Sequence, residues 1–163
     1  MTACAKVVEF LEERKIPFTT FTHHPAFTAQ EEAAVSHVPG RDWAKTVVCV
    51  ADGNPVLVVL PASRLIDFER LRRLTGAETI RLASKAEMER LYPGCELGMM
   101  PPFGPLFHQP VFVDSSLVGD PALVFNAGDH TTAIRMHYND FAEMVEPVVG
   151  SFSCAPDDKP GTM

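Results

Sequence analysis

The spacing of apolar positions changes along this chain, and each change marks an element. Over residues 3–15, Val7, Phe10 and Leu11, with Cys4, recur at helical intervals and predict an amphipathic helix. Pro17 ends it, and Phe18-Thr19-Thr20-Phe21-Thr22 is rich enough in aromatic and β-branched residues to predict a short strand. Thr28-Ala29-Gln30-Glu31 has the form of a capping box, so a second helix is expected to start there and to end before Pro39-Gly40.

Two apolar runs follow, Lys45 to Ala51 and Val56 to Leu60, joined by Asp52-Gly53-Asn54-Pro55. The Asp-Gly pair predicts a hairpin. Neither run alternates cleanly with polar residues, which predicts strands covered on both faces. Leu65 to Leu74 reads as a helix stopped by Gly76, Glu78 to Leu82 as a strand, and Ser84-Lys85-Ala86-Glu87 as the capping box of a helix ending near Pro93-Gly94. Pro110 to Val113, Leu123 to Asn126 and Thr131 to Met136 are further strands, and Asn139 or Asp140 is expected to start a last helix through Val145. Strands and helices are mixed without a strict βαβ rhythm. The expected fold class is α+β (mixed α/β), a mixed and largely antiparallel sheet packed by helices. Residues 1–150 are assigned to one domain, and residues 151–163, rich in Ser, Pro, Asp and Gly, to a flexible C-terminal tail.

Composition narrows the function classes. A chain of 163 residues with 46% hydrophobic content is of one-domain size and can bury a substantial core. It holds no apolar run long enough to span a bilayer and no signal-peptide pattern at Met1-Thr2-Ala3-Cys4-Ala5-Lys6. Cys4, Cys49, Cys95 and Cys154 are scattered and form no C-x-x-C pair. These features lead to the expectation of a cytoplasmic protein. A formal net charge of -7 argues against broad binding along a phosphate backbone, DNA included. The dense basic group is Arg64, Arg70, Arg72, Arg73, Arg81 and Lys85, either a solvated face or a local contact for an acidic partner.

Three punctuated segments carry candidate chemistry. In Gly98-Met99-Met100-Pro101-Pro102-Phe103-Gly104, two glycines and two prolines control the backbone, which suits a wall that approaches a small ligand closely. Lys45 enters an apolar strand, where its ammonium either snorkels outward or meets a phosphate or a developing oxyanion. Gly128-Asp129-His130 lies between two strands, so His130 is an acid–base group, an orienter or a turn residue. His23-His24-Pro25 lacks the companions of a metal site, and neither a Gly-x-Ser-x-Gly elbow nor a nucleotide-binding glycine motif is present. Cys95 follows Gly94 close to the glycine-proline loop and is a pocket-lining candidate; as a nucleophile it needs a neighbouring base.

Taken in order, His24-Pro25-Ala26-Phe27-Thr28, Lys45 before its strand, Val56 to Pro61, Arg81-Leu82-Ala83-Ser84, Gly98-x-x-x-Pro102-Phe103-Gly104, Val111-Phe112-Val113-Asp114 and Asn126-Ala127-Gly128-Asp129-His130 resemble the YbaK and prolyl-tRNA-synthetase-associated editing domain family. The resemblance covers about residues 5–147. It implies an aminoacyl-tRNA deacylase acting in trans on a small amino acid such as Ala, Ser or Cys, with tRNA-Pro as one expected carrier. Its implied partners are the tRNA acceptor end and a synthetase, with no DNA, membrane, cofactor or metal. It further implies catalytic roles for Lys45, Gly98 and His130, and a substrate-binding wall of Thr28, Thr46, Met100, Pro101, Pro102, Phe103, Gly104, Gly128 and Asp129. Thr46 stands where some members carry Asn, and the doubled Met99-Met100 alters the wall, so the amino-acid preference stays open. A silent binder of the tRNA 3′ end and a small-ester hydrolase unrelated to tRNA are the alternatives.

Overall fold

An Asp-Gly turn fixes the register of the two strands on which the rest of the structure is assembled. In the computed structural model, which describes residues 3–22, 43–96 and 98–156, Asp52 and Gly53 both take positive φ, 48° and 85°. A two-residue hairpin turn of type I′ requires that, and Asp-Gly supplies it at little cost. The turn joins β2 (Trp43–Ala51) to β3 (Asn54–Pro61) in an antiparallel register running from Ala44↔Pro61 to Ala51↔Asn54.

The remaining strands are β1 (Thr19–Thr22), β4 (Leu65–Ile66), β5 (Ile80–Leu82), β6 (Val111–Asp114) and β7 (Leu123–Asn126). They are completed by β8 (Thr132–Met136), β9 (Val148–Gly150) and β10 (Ser153–Cys154). The large sheet runs in the order β1-β8-β7-β2-β3-β6-β9, and β5 pairs with β2 outside that path. It is mixed: β2–β7, β3–β6 and β6–β9 are parallel, whereas β1–β8, β7–β8, β2–β3 and β2–β5 are antiparallel.

β3 shows why its sequence does not alternate. Leu57 and Val59 enter one core with Val7 and Leu11 of α1 (Ala3–Glu13) and with Phe103, Phe125 and Phe141. Val56, Val58 and Leu60 enter a second core with Ile66, Leu71 and Phe152. Successive side chains point to opposite faces, and here both faces are covered.

Local capping sets the helices. α2 (Phe68–Thr75) starts on Asp67, whose Oδ1 accepts the amides of Glu69 and Arg70 at 3.1 and 3.2 Å, and ends on Gly76 at φ 73°. The sequence predicts helix from Leu65; Leu65 and Ile66 instead form β4, because Asp67 caps the helix two residues later and β10 pairs with the segment before it. α3 (Lys85–Leu91) begins with the expected Ser84–Glu87 capping box. α4 (Tyr138–Val145) starts earlier than Asn139, since His137 is the cap and its Nδ1 accepts the Asn139 amide at 3.1 Å. The helix expected from Thr28 and the His23-His24-Pro25 motif lie outside the described residues.

The expected tail boundary at residue 151 moves outward. Phe152 is fully buried in the second core, and Ser153 and Cys154 pair with β4 as β10. Asp114 Oδ1 holds this segment by accepting the amides of Phe152 and Ser153, both at 3.0 Å. Burial pushes the Asp114 carboxyl up, but the Ser116 hydroxyl and these amides outweigh it and leave it below the usual carboxylate range. Composition alone misplaces the boundary because one aromatic among small polar residues suffices to dock the strand. Phe152→Ala is expected to cost about 3–5 kcal/mol in urea unfolding; a loss under about 1 kcal/mol would mean that the segment is only loosely docked.

Candidate active site

β2 gives one edge wholly to β3 and divides the other. On that second edge β7 pairs with Trp43 and Ala44, and β5 pairs with Cys49 to Ala51. The Ala83 amide extends the β5 side by donating to the Val48 carbonyl at 2.9 Å. Between the two, residues 45–47 border a notch where, among the described residues, no strand lies beside them. Backbone direction alternates along a strand, so Thr46 turns its N–H and C=O to the same edge as the Val48 carbonyl, into that notch.

The hairpin tip determines where the notch ends. Asp52 donates its amide to Thr79 at 3.0 Å, and its carboxylate accepts the Glu78 and Thr79 amides. Those bonds, led by Thr79, hold the Asp52 carboxyl below its ordinary range. They pin the start of β5 against the turn. From within β5, Arg81 forms a two-point pair with Glu87, at 2.8 and 3.0 Å, while the Ser84 amide donates to Glu87 at 2.8 Å. The Glu87 carboxyl is thereby held down to about 2, first by Arg81 and then by Ser84. This clasp seats α3, and with it Met88, over the notch.

A cavity of about 280 Å³ occupies the notch. Its floor is Lys45 to Val48; Leu82, Ala83 and Met88 form one wall, Gly98 to Met100 another, and Asn126 closes the end of β7. The walls are mainly apolar. Lys45 is half-buried, and desolvation lowers its ammonium pKa from the ordinary value. Among the described residues no carboxylate pairs with it. An uncompensated cation beside main-chain polar groups in an apolar cavity suits a neutral carbonyl that gains negative charge during reaction.

The expected site residues divide into three groups. Lys45, Thr46, Gly98 and Met100 meet around the cavity, joined by Met99. Pro101, Pro102, Phe103 and Gly104 are buried and stand outside the cavity lining. Phe103 is fully buried and packs edge-on against Phe10 and Phe141, with centroids 6.0 and 5.6 Å away. It anchors the loop in the core. Gly104 is required for space, since a Cβ there would lie 2.2 Å from the Gln109 carbonyl oxygen, whereas Gly98 stands in open space at φ +81°. Thr28 lies outside the described residues.

Gly128, Asp129 and His130 form the third group, beside the cavity lining rather than in it. Asp129 is a turn former: Oδ1 accepts the Thr131 and Thr132 amides at 2.9 and 2.6 Å, and both threonine hydroxyls donate to the carboxylate. Burial raises its pKa, but these bonds outweigh burial and leave it lowered. The Gly128 carbonyl accepts the Glu96 amide at 2.7 Å, and His130 Nε2 lies 3.2 Å from Glu96 Oε2. The segment therefore braces the chain that leads into Gly98.

Cys95 lines a smaller neighbouring cavity of about 120 Å³ with Met88, Glu89 and Met100. Burial pushes its thiol up to about 11, and that of Cys49 to about 12, so neither is poised as a thiolate nucleophile at neutral pH. Four of the arginines in the basic group pair with local acids: Arg70 with Asp67, Arg72 and Arg73 with Glu69, and Arg81 with Glu87. Asn126 was absent from the expected site. Its signal was a polar side chain ending the apolar run Leu123-Val124-Phe125.

A family model described as the aminoacyl-tRNA editing domain matches residues 23–144. The multifunctional Ser/Thr-tRNA deacylase ProXp-y of Escherichia coli K12 is 29% identical over 161 residues, covering 90% of each chain. The prolyl-tRNA editing protein ProX of Acetoanaerobium sticklandii is 25% identical, covering 90% of this chain and 92% of its own. A proline–tRNA ligase of Nitratidesulfovibrio vulgaris is 32% identical over 110 residues, 68% of this chain, which spans only 19% of the ligase. The crystal structure of a proposed trans-editing enzyme for prolyl tRNA synthetase superposes with a TM-score of 0.79 at 22% identity, covering 95% of this chain and 99% of its own. That likeness concerns the fold.

Two measurements test the geometry. Gly104→Ala is expected to cost about 1–3 kcal/mol through overpacking, and Gly98→Ala about 1–2 kcal/mol through left-handed strain alone; equal tolerance of both in urea titration would contradict the assigned roles. Glu87→Gln is expected to lower Tm at pH 7. A carboxyl lowered from 4.5 to about 2 on folding contributes stability above 4.5 and loses it as pH falls toward 2. The deficit of the variant is therefore expected to shrink across that window, and a pH-independent deficit would refute the Arg81–Glu87–Ser84 clasp.

Proposed function

Since this chain belongs to the aminoacyl-tRNA editing domain family, we propose that it is a trans-acting deacylase for mischarged tRNA that releases a small amino acid such as Ala, Ser or Cys, with tRNA-Pro as one carrier. The observation that carries this reading is the half-buried Lys45 ammonium, which no carboxylate among the described residues pairs, inside a small and largely apolar cavity. At about 280 Å³ the cavity lies at the lower edge of ordinary ligand pockets. It admits an aminoacyl ester and leaves the terminal nucleoside at the mouth.

The reaction needs little chemical assistance, because an aminoacyl ester is already activated. Water adds to the ester carbonyl carbon, the carbonyl oxygen takes up negative charge, and the carbon–oxygen bond to the ribose then breaks. The water proton passes to the departing ribose oxygen, leaving a free amino acid and a tRNA hydroxyl. Lys45 and the Thr46 N–H in the notch are the donors for the charged oxygen. Among the described residues no histidine or carboxylate lines the cavity. Orientation of the water therefore falls to the Thr46 carbonyl or the free hydroxyl of the substrate ribose. His130, held beside Glu96, acts in this reading as a positioning residue for the Gly98 wall.

Met88 and Met100 line both this cavity and the smaller one beyond, so the barrier between the two is made of flexible side chains. Such a wall fits graded rather than absolute size selection. The acceptor end is the portion of tRNA engaged. An acidic chain in which four arginines of the dense basic group are paired with local acids has little to offer the rest of the tRNA, and delivery by a synthetase fits that limitation.

The test is release of labelled amino acid from tRNA-Pro charged with Ala, Ser or Cys and from non-cognate Ala- and Ser-tRNA. Native protein is expected to hydrolyse at least one pair well above the spontaneous rate, and Lys45→Ala to lower that rate about 100-fold or more. Binding without release, or full activity in Lys45→Ala, would overturn the reading.

A further inference from the structure

Among the described residues, Asn126 carries a buried polar atom that the protein leaves unsatisfied. It is the last residue of β7 and only 6% exposed, and its Oδ1 is buried without a hydrogen-bond partner among the described residues. A buried acceptor left unpaired is destabilising, because nothing offsets the loss of its water. An apolar residue of the same shape would avoid that cost, so the position calls for a donor that arrives from outside. Asn126 also lines the cavity shared by Lys45 and Thr46.

Three observations select the donor. Asn126 is nearly closed off from solvent whereas Lys45 is half-buried, so Asn126 meets the part of the substrate that travels deepest. In a cavity this small, that part is the amino acid and not the ribose. Lys45 is a cation and repels an ammonium, so it is matched to the carbonyl oxygen and leaves the amino group to another partner. Among the described residues no carboxylate lines the cavity. A carboxylate there would pair with Lys45 and quench it. A neutral amide oxygen accepts from the amino group in either protonation state, which suits a group titrating near 8.

We infer that Asn126 Oδ1 accepts a hydrogen bond from the α-amino group of the esterified amino acid, so that the site recognises an aminoacyl group rather than any small acyl group. This rests on the deacylase reading above. It assigns Asn126 a specificity role distinct from the stabilisation of the reacting carbonyl by Lys45.

The experiment compares hydrolysis of alanyl-tRNA-Pro and propionyl-tRNA-Pro, which differ only in the amino group, each divided by its spontaneous rate. Native protein is expected to prefer the alanyl ester by about 10- to 100-fold, the range for a hydrogen bond to a charged group. In Asn126→Leu, of similar shape, and Asn126→Ala, that preference is expected to fall to about twofold or less. Asn126→Leu is also expected to melt no lower than native protein, because no hydrogen bond to Oδ1 within the protein is lost. A preference retained in folded variants, or two rates that fall in parallel, would overturn the inference. So would unfolding of both variants, which would make Asn126 structural. Native protein that hydrolyses both esters equally would remove the inference and leave the deacylase reading standing. Native protein that releases neither acid would remove both.

Discussion

The divided edge of β2 is the constraint on which the site depends. A central strand ordinarily satisfies its main chain on both sides along its length, and unpaired buried polar groups are costly. β2 does so with β3 but takes β7 at its start and β5 at its end. The interruption leaves main-chain donors and acceptors of β2 without a strand partner among the described residues, beside a largely apolar cavity. Lys45 stands at the near end of the gap, where β7 leaves off, and the Gly98 loop passes over it. The hairpin turn, the Asp52 bonds to Glu78 and Thr79, and the Arg81–Glu87 clasp all keep β5 from sliding along β2 and closing it.

Electrostatics reinforces the same division between frame and site. Carboxylates of the frame are matched to arginines or to backbone amides, as at Glu69, Glu87, Asp114 and Asp129. Lys45 is the contrast, a cation that burial disfavours and no described carboxylate relieves. Beside these locally matched carboxylates, the Lys45 charge stands open at the wall of the cavity. The negative total charge is compatible with this, because engagement of an acceptor end depends on a local field rather than on the sum over the surface.

Much of this was legible in the sequence where local chemistry decides local structure. Asp52-Gly53 specified its turn, Ser84 and Glu87 their capping box, and the unbroken apolar runs of β2 and β3 their central place. Legibility failed where distant pairing decides. Leu65 and Ile66 join a ribbon because Ser153 and Cys154 come to meet them, and no local signal carries that. Gly98 and Gly104 look equivalent in the sequence, yet one serves dihedral freedom and the other the approach of Gln109. Asn126 escaped notice because its missing partner is a property of three dimensions. The family motifs located the site, but they could not separate residues that line the cavity from those, such as Phe103 and Asp129, that hold its walls.

The main-chain character of the notch has an evolutionary consequence. Polar atoms supplied by a backbone survive almost any side-chain replacement, since every residue except proline carries the same pair. The main-chain part of such a site is insulated from mutation, whereas the Lys45 ammonium is not, and Thr46, Met88 and Met100 stay free to vary around both. Single substitutions at those positions can therefore reshape the cavity without disturbing the main-chain groups beside it. The stretch of β2 between β7 and β5 makes the fold a reusable frame for pockets of differing shape.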